Sequence, residues 1–437
     1  MPRTKGKRRR NGQATNQHAK SSDESNESGS KKQRGTHSSD DTRSGLVLTL
    51  GEGDVGQLGL GEEIMERKRP AIVPSIADRS VVQVVCGGMH TVALTTDGKV
   101  YSWGCNDEGA LGRRTSGMHQ ESVPGLVSFP EHVVQVSAGD SHTVALTDDG
   151  KVFCWGSFRD ANGPIGLTPD QKKLEIPIKI IDNTSSYGRA VGISSGNDHV
   201  AVVTSRGILL SWGVAEQGQL GRIAECLSVR GGRRGLAAIL NPGVVRFTRR
   251  HGRCPFITNV FCVSYHTFAI SSNDEVFAWG LNNYGQLGLG DTTKHFMPGH
   301  MTDLPSHNGK KVSLVQFTGG QHHSIALGSN GRVYVMGRTD YGRLGLGEGV
   351  EEPHIPVEIP EFQNVKVVAG GGAVSLAVTN EGVAYAWGMG TNYQLAADED
   401  NDVHSPDRMR GKNLEGKKVI SISAGGQHTA LLVCQKD

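Results

Sequence analysis

The chain has 437 residues, of which 60 are Gly and only 5% are aromatic, so it is rich in turns and poor in bulky core side chains. No run approaches the ~20 apolar residues of a membrane span, no apolar stretch follows the basic N-terminus as a signal peptide requires, and seven Cys without a C-x-x-C pair argue against a disulfide framework or a zinc module. The reading is a soluble, intracellular protein. Its net charge of +2 is unevenly spread.

Residues 1–43 hold 11 Lys/Arg against 5 Asp/Glu, and the remainder holds 35 against 39. This basic arm has almost nothing apolar to bury, so it is expected to be a disordered tail. Lys5, Lys7, Arg8, Arg9 and Arg10 form a cluster suited to nuclear import or to phosphate contact, the alternative being a solubilising tail.

The apolar pattern begins abruptly at Leu46, with Gly45–Gly51 and then Gly56-Gln57-Leu58-Gly59. From there the chain repeats itself. A G-x-x-H-[ST]-x-A-L half-motif recurs with its His slot at 90, 142, 199, 266, 323, 374 and 428, the slot at 374 holding Val. A second half-motif, G-x-V-[YF]-x-W-G followed by G-x-L-G, comes about ten residues after each of the first six. Its alternation is that of a strand, and the D-G or N-G before it marks a hairpin. The seventh copy ends at the C-terminus without its second half, and that half is the one found at 45–59. A half repeat at each end closes a ring. The fold expected over 44–437 is therefore an all-β, seven-bladed β-propeller, with the N-terminal strand completing the last blade and leaving no bare edge.

A residue recurring in every blade serves the blade. The slot His and the Trp of W-G (103, 155, 212, 279, 387) are read that way, with Leu50 and Met336 in the Trp slot of the other two blades. The two positions before the His behave differently. They run Gly88-Met89, Asp140-Ser141, Asn197-Asp198, Ser264-Tyr265, Gln321-His322, Gly372-Ala373 and Gly426-Gln427. Variation at a fixed position is the mark of a binding surface on a scaffold, or of a surface merely free to vary.

Two departures in length interrupt the repeat. After Trp155-Gly156 two residues are inserted, in Phe158, Arg159, Asp160, Ala161, Asn162, Gly163, Pro164 and Ile165, where Asn-Gly-Pro predicts a protruding hairpin or a neutral loop. The second departure, 222–256, carries Arg222, Arg230, Arg233, Arg234, Arg246, Arg249, Arg250 and Arg253 against Glu225. Such an Arg-rich insertion is either a solvated loop or a surface that captures carboxylates and phosphates.

Seven GGxHTxAL and VYxWGxxxxGxLG repeats, with Gly53–Gly61, Cys105–Gly112, Ser157–Asp160, Glu216–Arg222 and Gly320–His323, resemble the regulator of chromosome condensation family. That family comprises nuclear exchange factors for the small GTPase Ran. The resemblance implies that the variable rim binds Ran, with Asp198 and His322 central to exchange. Asp54, Asp140, Arg222, His428 and His90 are implied at the same interface, and 158–165 as a wedge beside the nucleotide. Asp198 and His322 are expected to be surface groups. The resemblance also implies a nucleosome and DNA surface at Arg230, Arg233, Arg234, Arg249, Arg250 and the tail, and an import receptor that reads the tail. The chain is expected to be a monomer without membrane contact, metal or cofactor, acting by binding rather than covalent chemistry. The competing readings are a chromatin adaptor without exchange activity and a hydrolase with a site on the propeller axis.

Overall fold

The computed structural model describes residues 44–248, 254–360, 362–397 and 400–436. The tail cluster from Lys5 to Arg10 and the pair Arg249 and Arg250 lie outside the described residues.

Blade 1 shows the repeating unit. Val81–Cys86, His90–Thr95, Val100–Gly104 and Gly125–Val127 pair antiparallel in that order, from the axis outward. Four-stranded sheets of the same order follow at 133–181, 190–244, 257–300, 314–358 and 365–408, as blades 2 to 6. Blade 7 draws on both ends of the chain. Lys417–Ala424 and His428–Gln435 supply its inner strands, and Leu46–Glu52 and Glu66–Ile72 its outer ones. Leu46 sits opposite Val433 and Gly51 opposite His428, which is the ring closure the split repeat predicts.

The second strand of blades 1 to 6, such as His90–Thr95, is buried along its whole length, and that of blade 7 up to Val433. A strand covered on both faces by neighbouring blades reads as an apolar run rather than an alternation. The innermost strand carries a register shift at one common place in all seven blades, between Val81 and Gln83 in blade 1. Such bulges sharpen strand twist. Here one also turns Gln83 toward blade 2, where its amide accepts from Val136 N–H and donates to Val136 C=O, both at 3.0 Å. Gln135 makes the same two bonds to Ile193 of blade 3, and Gln316 to Val368 of blade 6.

The two half-motifs are tied together between blades. Trp103 of blade 1 is fully buried and donates from Nε1 to the Gln57 carbonyl of blade 7 at 3.0 Å. Gly59, two residues on, has φ +72°, and a Cβ there would lie 2.7 Å from that same Nε1. The G-x-L-G glycine is thus required by the neighbour's Trp as well as by its own backbone. Where blade 7 has Leu50 instead of Trp, the facing loop of blade 6 carries Ala396 in place of that glycine.

A third tie uses the slot histidines. His428 Nε2 bonds Thr91 Oγ1 of the next blade at 2.8 Å, and Thr91 donates to the Gln57 carbonyl at 2.9 Å. A hydroxyl has one proton, and Thr91 gives it to the carbonyl, so the ring nitrogen must be the donor. The same relay links His90 to Thr143, His199 to Thr267, His266 to Ser324 and His323 to Ser375. Burial holds these rings neutral, His90 down to about 4 and His199, His266 and His428 to about 3. Two seams lack the relay: Val374 takes the His slot in blade 6, and Val200 takes the Thr slot in blade 3. His142 Nε2 therefore has no partner among the described residues, in addition to Nδ1, which is unpartnered in most relay histidines as well. That second seam is where the inserted hairpin arises.

Candidate functional site

Strands one and three of each blade run the same way. The turn before each slot His and the loop after each W-G therefore emerge on one rim. The seven residues two before the slot, from Gly88 and Asp140 round to Gly372 and Gly426, all line an axial cavity of about 260 Å³. Their backbones join the blades: Asp140 N–H donates to Asn197 C=O at 2.7 Å, Asn197 N–H to Ser264 C=O at 3.0 Å, and Gly426 N–H to Gly88 C=O at 2.9 Å. With the backbone fixed by neighbours, side chains at this rim are free to differ.

The inserted segment is a hairpin. Arg159 pairs with Pro164 and Asp160 with Gly163, leaving Ala161 and Asn162 exposed at the tip. Gly163, with φ +111°, supplies a backbone angle the turn requires. Phe158 anchors the base, fully buried, its ring edge-on to His142 at 4.7 Å between centroids. It fills the seam where His142 lacks a hydroxyl partner. Ile165 N–H closes the base onto Phe158 C=O at 2.9 Å.

Asp198 holds this hairpin from blade 3. Its Oδ1 accepts Arg159 N–H at 2.8 Å, and the residue is only 9% exposed. It is a buried anchor, and the expectation of a surface group is corrected. Burial, with Asp140 and Asp160 nearby, raises its carboxyl from 3.8 to about 7, against the opposing pull of the Arg159 N–H. Asp140, half-buried, is likewise raised by burial, and Arg159 also pairs with Glu108 of blade 1. Glu108 has no signal in the sequence beyond its place in a G-x-L-G loop.

His322 stands elsewhere on the rim, in blade 5, half-buried rather than fully exposed. Its ring meets Tyr284 edge-on at 5.1 Å, and the Arg338 guanidinium lies over the Tyr284 ring, 4.9 Å from its centroid. Burial and then the Arg338 and Arg343 charges lower its pKa, so it is neutral at pH 7, and its Nδ1 has no partner among the described residues. Asp54 is exposed on the blade 7 loop, accepting from Gln57 Nε2 at 2.9 Å.

Three implied contact residues are instead internal supports. His90 and His428 are 1% and 0% exposed and belong to the relay between blades. Arg222 spends its guanidinium on Ser211, Ala238, Ile239 and Asn241 carbonyls, tying down the start of the insertion, and burial lowers its pKa to about 10. The two histidines are closed off from solvent, whereas Arg222 is half-buried. The insertion itself forms short helical turns at Glu225–Leu227, Val229–Arg234 and Ala237–Leu240, with Arg233, Arg234 and Arg246 exposed. Arg230 is turned onto the hairpin.

Comparison with known proteins fits this geometry. The RCC1-like domain model matches residues 46–431. The human protein named regulator of chromosome condensation is 52% identical over 412 residues, covering 93% of this chain and 95% of that protein. The Saccharomyces cerevisiae guanine nucleotide exchange factor SRM1 is 28% identical over 432 residues, 87% of this chain and 86% of that one. Among solved structures, yeast Prp20p, described with its binding properties to Gsp1p and histones, superposes with TM-score 0.80 at 29% identity, covering 90% of this chain and 92% of that chain. Yeast RCC1 (Prp20) bound to Kap60 gives 0.81 at 28% identity, covering 95% and 97%. A family model spanning the ring, and a relative matched almost end to end at half identity, place this chain in the RCC1-like domain family, among the regulators of chromosome condensation.

Proposed function

We propose that this protein is a guanine-nucleotide exchange factor for the small GTPase Ran, working in the nucleus on chromatin. The observation that carries the reading is the rim hairpin, a wedge built by the inserted residues and held by the buried carboxylate of Asp198. The same slot in the other six blades holds Met89, Ser141, Tyr265, His322, Ala373 and Gln427, none of them a carboxyl group. Exchange requires a rigid element that can enter a partner and displace its ligand.

The rim binds Ran, with Asp54, Asp140 and His322 as polar contacts and the Ala161–Asn162 tip presented toward the nucleotide. Binding free energy stabilises the nucleotide-free GTPase. By linkage, the factor by which this protein weakens nucleotide is the factor by which nucleotide weakens this protein. No bond is made or broken, and the prevailing GTP and GDP set the direction. Arg233, Arg234, Arg249, Arg250 and the tail serve nucleosome and DNA contact, and the tail cluster also serves an import receptor.

The test is release of fluorescent GDP from Ran, with and without the full chain. Acceleration by catalytic amounts is expected. Release at the unassisted rate would leave only a chromatin adaptor, for which insertion and tail suffice.

A further inference from the structure

We infer that Arg230, a residue of the basic insertion, is a positioning residue for the exchange wedge and acts through Asp160. The inference rests on the exchange reading above. Arg230 Nε–H donates to Asp160 Oδ2 at 2.7 Å and an Nη2–H to Asp160 Oδ1 at 3.0 Å, a two-pronged contact across seventy residues of sequence. The Asp160 side chain is 2% exposed and that of Arg230 45%, so the carboxylate end of the pair is shielded from water while the guanidinium covers it from the solvent side.

The backbone is shaped for the contact. Arg230 has φ +44° and ψ +36°, followed by Gly231 at φ +73° and Gly232 at φ +53°. Left-handed geometry at a residue with a Cβ is strained and persists where the surroundings over-determine it. Here it turns the guanidinium back onto the hairpin instead of outward with Arg233 and Arg234.

Charge completes the case. Asp160 and Asp140 both press on Asp198. With Arg230 gone, Asp160 would keep the Asn162 N–H at 2.8 Å but would lose the charge that neutralises it. The wedge would then rest on carboxylates that repel one another. Arg230 thus does for the outer side of the wedge what Asp198 does for its base. The insertion that charge assigns to chromatin also supports exchange.

The experiment compares Arg230→Ala, Arg230→Lys, Asp160→Ala and the Arg230→Ala/Asp160→Ala double variant with wild type. Maximal GDP release at saturating exchange factor is read beside the half-saturating concentration, and amide hydrogen exchange of 158–165 beside both. Arg230→Ala should lower the maximal rate about tenfold, the factor that ~1.4 kcal/mol gives, with half-saturation nearly unchanged. Arg230→Lys should recover part of it. The double variant should be no worse than the worse single, because the pair acts as a unit. Wedge amides should exchange faster in Arg230→Ala while the propeller keeps its denaturant midpoint. Wild-type maximal rate and wedge protection in Arg230→Ala, or additive losses in the double variant, would overturn the assignment. If wild type itself releases no GDP, the exchange reading falls, and wedge protection still decides whether Arg230 positions the hairpin.

Discussion

Replacing Asp198 by Asn is the sharpest test of how the wedge is held. Asn keeps the size of the side chain and an oxygen for Arg159 N–H, and removes only the charge. The Asp198 carboxyl titrates at about 7 in the fold, against 3.8 for the unperturbed group. At 1.36 kcal/mol per unit, that difference sets about 4 kcal/mol against the ionised folded state. Between those two values the unfolded chain has released its proton and the folded chain retains it. Wild-type stability from this group therefore falls as pH rises from 3.8 to 7, and the loss is complete above 7.

The relay histidines act in the opposite sense. Their folded values, about 4 for His90 and about 3 for His428, lie below the ordinary 6.5, so stability they provide at neutral pH is lost as pH falls below 6.5. Neither protein's curve alone isolates Asp198, but the difference between them does. Urea midpoints of wild type and Asp198→Asn should nearly coincide near pH 4 and diverge with rising pH, the variant becoming more stable by up to about 4 kcal/mol at pH 8. GDP release by the same variant should fall at least tenfold, because a buried charge that costs stability is retained where a site uses it. A stability difference that does not change with pH, or a variant less stable than wild type at pH 8, would refute the reasoning.

The other predictions concern the ring and its rim. Deleting 44–51 removes the third strand of blade 7 and strips Glu66–Ile72 of its partner, so the denaturant midpoint of the whole propeller should drop; an unchanged midpoint would contradict the closure. Gly59→Ala forces a Cβ against Trp103 at left-handed φ, and should cost about 2–5 kcal/mol by denaturation, strain and overpacking together. Val200→Thr gives His142 the hydroxyl its counterparts have but no loop carbonyl for that hydroxyl to donate to, so the denaturant midpoint should move by the equivalent of less than about 1 kcal/mol; a larger gain would show that the seam still offers a carbonyl. Shortening 158–165 to the loop length of the other blades should leave binding to nucleotide-free Ran largely intact while abolishing GDP release; wild-type release would remove the wedge from the mechanism.

The architecture was legible because repetition substitutes for an alignment. One spacing seen seven times assigns the His and Trp slots to packing, and the displaced half repeat assigns the closure. The hairpin at 158–165 was legible as an insertion for the same reason. The chemistry of the rim was less so. Sequence position places Asp198 in a variable slot beside Ser141 and His322, and nothing in that slot distinguishes a group that faces solvent from one that receives the neighbouring blade's loop. Arg222 lies in a run of arginines, yet the carbonyls that consume its donors come from 211 and 238–241, a closure only the folded insertion makes. Long-range polar pairs, such as Arg230 with Asp160, leave no periodic trace.

The blade 2–3 seam joins these threads. Every other seam with a slot His has a hydroxyl to receive it, and this one has Val200 and the ring of Phe158 instead. Trp212 Nε1, in the blade that receives the altered loop, also has no partner among the described residues, as is true of Trp387 Nε1 in blade 6, whereas Trp103, Trp155 and Trp279 donate to the preceding loop. The loop that would present that carbonyl has been rebuilt as the wedge. The relay bond and the Trp bond are thus both missing at the seam where the inserted hairpin arises, as they are between blades 6 and 7, where Val374 and Leu50 take the two slots. In their stead stand Phe158 packing, the Asp198 bond and the Arg230–Asp160 pair, all of which secure the hairpin rather than the blades. An insertion in a symmetric scaffold needs supports of its own, because the repeat bonds that join blade to blade supply none for it.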